Sequence, residues 1–415
     1  MSIFFVENIL FDLLQRANTR AYPSHLLTLR ADSPTTSEAR SEALTMKMEK
    51  MERFRSVLIL GGAGFIGSNW ARRLLETTEA KVHIFDNLSR PGARHNLDFL
   101  QKTAGKSGRL QITIGDVRDQ AKVAKVVKHA TEIYHFAAQV AVTTAVADPR
   151  HDFDVNVGGT FNVLEAARES GRNPFLLFTS TNKVYGDLAS RTAVAQPTRY
   201  VIPGNAATDE SQPLDFHSPY GCSKGAADQY VHDYARIYGL PTVVFRMSCI
   251  AGPRQFGNED QGWVAHFLYS AMLCAPITIY GSGLQVRDVL YVEDLLGAFE
   301  AVREHQDQTA GKIFNVGGGE ENSVSLLELI EHIRDLTGER IDFDRSRLRA
   351  GDQLYYVSDY SKLNRITGWK PEVNVRDGLA KMLAWFRRNR ELIASVCPAE
   401  TEAVRDASLE LGRTA

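Results

Sequence analysis

Short apolar runs alternate with amphipathic stretches along the chain from residue 55 onward. The apolar runs predict buried strands at Val57–Leu60, Val82–Phe85, Leu110–Ile114, Ile133–Ala137, Phe175–Thr179 and Thr242–Phe245. Apolar residues at helical spacing lie between most of them, in Asn69–Leu75, Ala121–Lys128, Gly158–Glu169 and Gly225–Tyr238. Such alternation is typical of a parallel sheet with helices on both faces. We therefore predict a doubly wound α/β domain, the Rossmann arrangement, over residues 54–245.

The alternation weakens after residue 246, where prolines and glycines punctuate the chain. The pieces predicted there are a helix at Val264–Cys274, strands at Ile277–Tyr280 and Asp288–Val292, and a helix at Leu326–Leu336. They indicate a smaller C-terminal α+β substrate-binding domain over residues 246–395, interleaved with the first domain. Residues 396–415 are expected to be a tail.

The first 53 residues differ in character from the rest. Ile3–Leu14 carries apolar residues at helical spacing, and Ala31–Ser41 is rich in Ser, Thr and acidic residues, which is typical of a linker. Methionines at 46, 48 and 51 lie just before the first core strand. We expect a disordered extension or a misassigned start, with a partner-binding arm as the alternative. A secretory signal is not expected, because no basic segment precedes the apolar part.

Composition narrows the functional classes. Among the 415 residues, 48 Lys and Arg balance 50 Asp and Glu, so no basic excess points to nucleic acid or to a membrane surface. The four cysteines are scattered without metal-ligand spacing, which argues against a zinc site or a disulfide framework and favours the cytoplasm. No apolar run reaches membrane-spanning length. Because the net charge is close to zero, an anionic ligand must be held by a few local cations.

Glycines follow the first predicted strand at Gly61, Gly64 and Gly67, and a helical pattern begins at Ser68. A tight turn and a backbone that approaches a pyrophosphate both need residues without Cβ, and the helix N-terminus offers N–H groups to an anion. The pattern predicts a dinucleotide site, with a glycine-rich turn of no chemical meaning as the alternative.

An acidic residue at the end of the second strand supports the dinucleotide site. Asp86 lies about 20 residues beyond the glycines, where a carboxylate binds a ribose 2′-OH and repels a 2′-phosphate. NAD is therefore favoured over NADP, although the nearby cation Arg90 weighs in the other direction.

Two further strand ends are candidates to line the cofactor, because ligands sit at the carboxyl ends of parallel strands. Asp116 follows the third strand, where a local turn role is equally open. Small residues and an amide follow the fourth strand at Ala137, Ala138 and Gln139.

Candidate catalytic residues follow the fifth strand. Thr181 ends a Thr-Ser-Thr sequence, and Tyr220 and Lys224 are four residues apart on one face of a predicted helix. An ammonium beside a phenol, helped by a cationic nicotinamide, is expected to lower the pKa of the tyrosine from about 10. Such a tyrosine can take a proton from an alcohol while hydride leaves the same carbon.

The glycine turn, Thr181 and the Tyr220-x-x-x-Lys224 pair resemble the extended short-chain dehydrogenase/reductase family of nucleotide-sugar enzymes. Within that family the chain is similar to the 2-epimerases of CDP-sugars, in residues 86–90, 155–160, 180–188, 214–230 and 285–290. The resemblance covers roughly residues 55 to 385. It extends the cofactor-binding set to Phe65, Ile66, Asn87, Arg90, Val117, Thr179, Tyr220 and Lys224.

The resemblance implies a tightly held NAD that is not consumed. Tyr220 would be the acid/base, Lys224 would tune it and hold the nicotinamide ribose, and Thr181 would polarise the reacting oxygen at sugar C2. The implied substrates are CDP-paratose and CDP-tyvelose. The family also implies a homodimer or homotetramer that pairs helices 151–170 and 219–238.

Substrate-binding residues are also implied by the resemblance. Related 4,6-dehydratases carry Asp and Glu after the catalytic threonine, whereas this chain has Asn182 and Lys183, so water elimination is disfavoured. The alternative interpretation of Lys183 is a solvated surface lysine with no role in the site. The expected substrate contacts are Thr181, Asn182, Arg254, Gln255, Arg287 and Arg349, with the arginines on the diphosphate. Surface salt bridging is the alternative for the three arginines.

Three alternatives stay open at this stage. The same catalytic residues suit 2-epimerisation of CDP-glucose or 4-epimerisation of a UDP-sugar. A non-catalytic NAD-binding regulator on the same fold is the third.

Overall fold

A computed structural model describes residues 55–204, 207–339, 341–349 and 351–397. Its strands are β1 Ser56–Leu60, β2 Lys81–Asp86, β3 Leu110–Ile114, β4 Glu132–His135, β5 Phe175–Thr181, β6 Val194–Ala195, β7 Tyr200–Val201, β8 Thr242–Met247, β9 Cys249–Ala251, β10 Ile277–Tyr280, β11 Val286–Tyr291, β12 Lys312–Val316, β13 Ser323–Ser325, β14 Phe343–Ser346 and β15 Tyr355–Tyr356. Its helices are α1 Phe65–Thr77, α2 Ala93–Ala104, α3 Gln120–Val127, α4 Val142–Ala147, α5 Pro149–Phe153, α6 Gly159–Glu169, α7 Ser218–Tyr238, α8 Trp263–Leu273, α9 Val292–Glu304, α10 Gln306–Thr309, α11 Leu326–Thr337, α12 Ser361–Thr367, α13 Val375–Arg388 and α14 Arg390–Val396.

Seven parallel strands form the central sheet in the order β3-β2-β1-β4-β5-β8-β12. The chain starts in the middle, builds outward to β3, and then returns to build the other side from β4. The predicted doubly wound α/β fold is confirmed. The carboxyl ends of β1, β4 and β5 lie side by side, so the residues that follow them meet at one edge of the sheet.

Aromatic packing joins the C-terminal half of the chain to this sheet. Phe299 of α9 is fully buried, and its ring centroid lies 5.5 Å from that of Trp70 on α1 and 5.8 Å from that of Phe245 on β8. Burial of such rings stabilises the contact by about 1.5–3 kcal/mol per side chain. Helix α9, from the C-terminal half of the chain, therefore covers one face of the central sheet.

A second group of elements stands outside the sheet. β11 pairs with β13, β15 and β9, while α8, α11 and α13 enclose a separate apolar cluster that includes Leu268, Ile333 and Phe386. The division at residue 246 into two domains stays a prediction. The expected extension 1–53 and the tail beyond residue 397 lie outside the described residues.

Several predicted boundaries were wrong in detail. The first helix begins at Phe65, three residues before the predicted Ser68, because the chain enters the helix directly from the glycine turn. The predicted strand Asp288–Val292 is Val286–Tyr291, and Val292 begins α9. The edge strand β12, and the helices α2 and α9, were not predicted. No helix among the described residues combines the length and the apolar character needed to cross a membrane.

Candidate active site

The glycine turn after β1 is packed too closely for side chains. Gly61 has a φ of +81°, and a Cβ on it would lie 2.6 Å from the backbone nitrogen of Ala137. A Cβ on Gly67 would lie 2.3 Å from the carbonyl oxygen of Gly61. Helix α1 starts at Phe65, and no side chain caps its first turn. The turn is thus a backbone cradle whose free N–H groups suit a pyrophosphate.

Asp86 holds this cradle in place. Its carboxylate accepts hydrogen bonds from the backbone N–H groups of Ala63 at 2.9 Å and of Leu88 at 2.8 Å. Burial raises the pKa of Asp86, and these hydrogen bonds oppose that rise. The carboxylate therefore stands beside the turn at the end of β2, where its ribose-binding role stays a prediction.

Asp116 is held by its own loop. It accepts hydrogen bonds from the side chain of Asn87 at 3.0 Å and from the guanidinium of Arg118 at 2.9 Å, and these partners hold its pKa well below the usual range. Both the turn role and the cofactor-lining role are compatible with this position. Arg90 reaches Gln261 of the C-terminal half, with 3.1 Å between Nη2 and Oε1.

The segment after β4 is tied to two following helical segments. Gln139 is buried, and its backbone N–H donates to the side-chain oxygen of Asn156 at 2.9 Å. Its side-chain amide donates to Asp152 at 2.9 Å. Ala137 and Ala138 are half-buried, and Ala137 touches the glycine turn. The fourth strand end thus closes one wall of the cradle.

The three predicted catalytic residues meet at the end of β5. Tyr220 is only 8% exposed and shares a side-chain hydrogen bond with Thr181. Lys224 follows one turn later on α7, and its amine donates to the carbonyl oxygen of Thr179 at 2.7 Å. The same amine lies 4.1 Å from the centroid of the Phe178 ring. A hydroxyl, a phenol and an ammonium therefore line one buried corner beside the cradle.

The predicted pKa change of Tyr220 was wrong for the protein alone. Burial raises the pKa of Tyr220 to about 12, the hydrogen bond with Thr181 opposes the rise, and Arg90 also lowers it. Lys224 is not among the groups that lower it, because its amine is directed to Thr179. Burial lowers the pKa of Lys224 itself to about 7.

Lys183, which follows the end of β5, belongs to a charged cluster with Asp352 and Arg287. Its amine lies 3.2 Å from Oδ1 of Asp352 and donates to the carbonyl oxygen of Gly351 at 3.1 Å. The guanidinium of Arg287 lies 2.7 Å from the same Asp352 oxygen. The side chain of Lys183 is only 19% exposed, so the alternative of a solvated surface lysine was wrong.

Asn182 is attached to the same loop. Its side-chain amide donates to Gln353 at 2.9 Å, and Gln353 in turn donates to the carbonyl oxygen of Gly186 at 2.6 Å. The turn that follows Thr181 is thereby clamped to residues 351–353.

The other predicted substrate contacts are more dispersed. Arg349 stacks 3.6 Å above the Tyr280 ring and pairs with Asp260 at 3.1 Å. Arg254, with a φ of +67°, lies 3.2 Å from the centroid of the Phe99 ring on α2. Gln255 is buried and donates to the backbone of β9. The structure thus places Arg287 beside the catalytic strand end and Arg254 against an N-terminal helix.

Sequence reasoning missed the buried partners of these residues. Gln353 and Asp152 are the clearest cases, since neither lies in a recognisable motif. Asn182 and Gln353 are 171 positions apart, so no local pattern could have paired them.

Comparison with known proteins agrees with this architecture. The family model described as GDP-mannose 4,6 dehydratase matches residues 58–382. The CDP-paratose 2-epimerase of Salmonella typhi is 43% identical over 337 residues, which are 79% of this chain and 98% of that protein.

Solved structures are similar as well. DesIV, a dTDP-glucose 4,6-dehydratase from Streptomyces venezuelae with NAD bound, is 30% identical with a TM-score of 0.70, over 81% of this chain and 98% of that one. The UDP-glucuronic acid 4-epimerase of Bacillus cereus, in complex with UDP-glucuronic acid and NAD, is 25% identical with a TM-score of 0.69, over 80% and 99% of the two chains. The resemblance predicted from the motifs is confirmed.

Proposed function

The chain belongs to the family described as GDP-mannose 4,6 dehydratase, and from this premise we propose that it is an NAD-dependent epimerase that inverts C2 of a CDP-sugar. The observation that carries the proposal is the buried corner formed by Thr181, Tyr220 and Lys224 beside the glycine cradle. The substrate class rests on the 43% identical relative, whose name specifies CDP-paratose and position 2.

The glycine cradle fits a dinucleotide, because close backbone contacts at Gly61 and Gly67 hold the turn against the start of α1, whose first N–H groups no side chain caps. The carboxylate of Asp86 beside the cradle favours NAD over NADP. When bound, NAD supplies the hydride acceptor and donor. The chain's own residues bind it, orient the sugar and move one proton.

Tyr220 is the group that moves the proton. Its phenolate takes the proton of the C2 hydroxyl as the carbon is oxidised, and the phenol returns it after the sugar has presented its other face. Thr181 holds the same oxygen, Arg90 lowers the pKa of the phenol, and Lys224 is placed to hold the nicotinamide ribose. The pKa of about 12 in the protein alone means that the positive charges of the loaded site must supply the rest of the tuning.

Two observations support epimerisation over dehydration. Neither residue after Thr181 is a carboxylate, and the side chains of Asn182 and Lys183 are both committed to residues 351–353. A second acid/base pair for water elimination is thus missing at this strand end. The complete catalytic trio also argues against a non-catalytic regulator.

A labelling experiment tests the proposal. CDP-paratose deuterated at C2 is incubated with the purified protein without added NAD, and UDP-glucose and CDP-glucose serve as parallel substrates. We expect CDP-tyvelose that retains the deuterium at C2, because the hydride returns to the carbon that lost it. Inversion at C4, or a purified protein that neither carries nor binds NAD, would overturn the proposal.

We also propose that the protein acts in the cytoplasm as a homodimer or homotetramer. Exposed aromatic residues lie on the helices expected to pair, with Phe153 52%, Phe161 43% and Tyr230 46% exposed. The Phe161 and Tyr230 rings lie 5.9 Å apart in an edge-to-face contact, so the two helices present adjoining exposed rings. Sedimentation that shows only monomer at working concentration would remove this part of the proposal.

A further inference from the structure

Asp152 on α5 is a buried carboxylate with one oxygen left free. The residue is 1% exposed. Its Oδ1 accepts hydrogen bonds from the side-chain amides of Gln139 at 2.9 Å and Asn156 at 3.2 Å. Its Oδ2 has no hydrogen-bond partner among the described residues. Burying a carboxylate that has only neutral hydrogen-bond partners and one unbonded oxygen lowers the free energy of unfolding. We therefore expect this group to have a role in the site.

The partners of Asp152 connect the two walls of the active site. The side-chain nitrogen of Asn156 also lies 3.1 Å from the carbonyl oxygen of Gln139 and 3.0 Å from the hydroxyl of Ser223. Ser223 donates to the carbonyl oxygen of Tyr220 at 3.2 Å and is the residue before Lys224. The network therefore ties the segment after β4 to the catalytic helix α7.

The charges around Lys224 come from several elements. Asp228, on the same helix, accepts hydrogen bonds at 2.9 Å from Nε and Nη2 of Arg246, and it raises the pKa of Lys224 more than Asp152 does. His135 on β4 has its pKa lowered to about 3 by burial and is neutral. Tyr220 is protonated in the protein alone.

Asp152 is the second carboxylate that acts on Lys224. Its charge acts on both Lys224 and Tyr220, and its hydrogen-bond donors, Gln139 and Asn156, are neutral amides. Unlike Asp228, which pairs with Arg246, Asp152 forms no salt bridge with a cation in the described part of the chain.

We propose that Asp152 is a positioning residue that keeps Lys224 in its ammonium form and, through Gln139 and Asn156, holds the cofactor segment against the catalytic helix. The kinetic part of this inference rests on the proposed function, whereas the binding part needs only that the protein binds NAD.

The direction of the expected effect follows from the sign of the charge. Burial lowers the pKa of Lys224 to about 7, and the carboxylates of Asp228 and Asp152 oppose that fall. Removing the charge of Asp152 lowers the pKa of Lys224 further, so the ammonium is lost at a lower pH. The pKa of Tyr220 also falls, since Asp152 raises it. Both limbs of a pH–rate profile therefore move to lower pH.

The first variant is Asp152→Asn, which keeps the shape and an acceptor oxygen but removes the charge. We expect both limbs to move down by about one pH unit, with roughly tenfold lower kcat/KM on the alkaline side. The matched control is Asp154→Asn, two residues later, where the carboxylate pairs with exposed Arg150 on the surface. The control should leave the profile in place.

A second variant and a second readout separate charge from shape. Asp152→Glu retains the charge in altered packing and should keep the limbs near the wild-type pH even where overall activity falls. In cofactor-stripped protein, the pH midpoint of NAD affinity should fall in Asp152→Asn and not in Asp154→Asn or Asp152→Glu.

The outcomes divide cleanly. An Asp152→Asn profile that loses activity equally at every pH, or an Asp152→Glu profile that moves as far as that of Asp152→Asn, would overturn the inference. Should Asp152→Asn fail to fold, limbs in Asp152→Glu that move away from the wild-type pH would overturn the inference. A wild-type protein that binds NAD but does not invert C2 contradicts the proposed function and leaves the binding test intact.

Discussion

The two sides of the active site are built from different materials. On the cofactor side, fit comes from backbone: Gly61 and Gly67 sit where a Cβ would lie 2.6 Å or less from other main-chain atoms. On the substrate side, fit comes from charged side chains, with Lys183 and Arg287 converging on Asp352. The first kind of site tolerates almost no added volume, whereas the second depends on which charges remain paired.

This difference matters for specificity. A cradle made of main-chain atoms offers N–H groups and shape, so it recognises the pyrophosphate and not the sugar that reacts. A cluster of paired charges can be rearranged by one substitution, which changes how a nucleotide sugar is seated. Substitutions on the two sides should therefore fail in different ways.

The largest effect is expected where the two sides meet. Replacing Tyr220 by Phe removes the proton-transfer group and should lower kcat by about 10³-fold. NAD content and thermal stability should stay near wild type, because the ring still fills the same buried space. Stopped-time assays of C2 inversion, with NAD quantified in the same preparation, make the measurement. Residual turnover within tenfold of wild type would contradict the role assigned to Tyr220.

The next largest effect is expected from a substitution on the cofactor side alone. Gly67→Ala places a Cβ 2.3 Å from the Gly61 carbonyl oxygen, which forces the turn apart. We expect about 100-fold weaker NAD binding and a loss of about 1–3 kcal/mol in the free energy of unfolding. Calorimetric NAD titration and thermal melting measure the two quantities.

Gly158→Ala is the control for that variant, because a Cβ there meets nothing within 4 Å. It should leave NAD binding unchanged. Equal losses in the two variants would show that glycine freedom in general, rather than contact at the turn, is what the protein requires.

A smaller effect is expected from the substrate side. Lys183→Met leaves the aliphatic stem but removes the charge that faces Asp352 and the donor to Gly351. We expect about tenfold lower kcat/KM for the nucleotide sugar with unchanged NAD content, because the cradle is not touched. Lys122→Met, which breaks an exposed pair with Asp119, is the matched control. A fall in NAD content in Lys183→Met would contradict the assignment of Lys183 to the substrate side alone.

The smallest effect tests whether charge pairs matter on the cofactor side. Arg118→Ala removes the guanidinium partner of Asp116, but Arg118 is 45% exposed and such pairs contribute about 0–1 kcal/mol. NAD affinity should change less than about threefold. A change of tenfold or more would mean that Asp116 needs its partner in order to contact the cofactor.

The cofactor side could largely be predicted from sequence. Its parts are local: Gly61 to Gly67 lie in one turn, and Tyr220 and Lys224 lie on one helix, so spacing alone indicates the chemistry. The substrate side could not be predicted in the same way. Asn182 and Gln353 are 171 positions apart, and a lysine such as Lys183 has no pattern that distinguishes a buried partner from a solvated surface position.

The pKa of Tyr220 illustrates another limit of sequence reasoning. The spacing of Tyr220 and Lys224 is correct, yet the expected direction was wrong, because burial outweighs a neighbouring amine that points to Thr179. Depth of burial and the direction of a flexible amine are properties of tertiary packing. Asp152 was missed for the same reason.

The position of β12 at the edge of the central sheet has a consequence for biosynthesis. Its partner β8 ends at Met247, and the next 64 residues must leave the ribosome before Lys312–Val316 can pair with it. Until then β8 presents a bare row of backbone donors and acceptors to other nascent chains. The sheet is accordingly completed late, by a long-range pairing. The nascent chain is most prone to aggregate after β8 has been synthesised and before β12 has been.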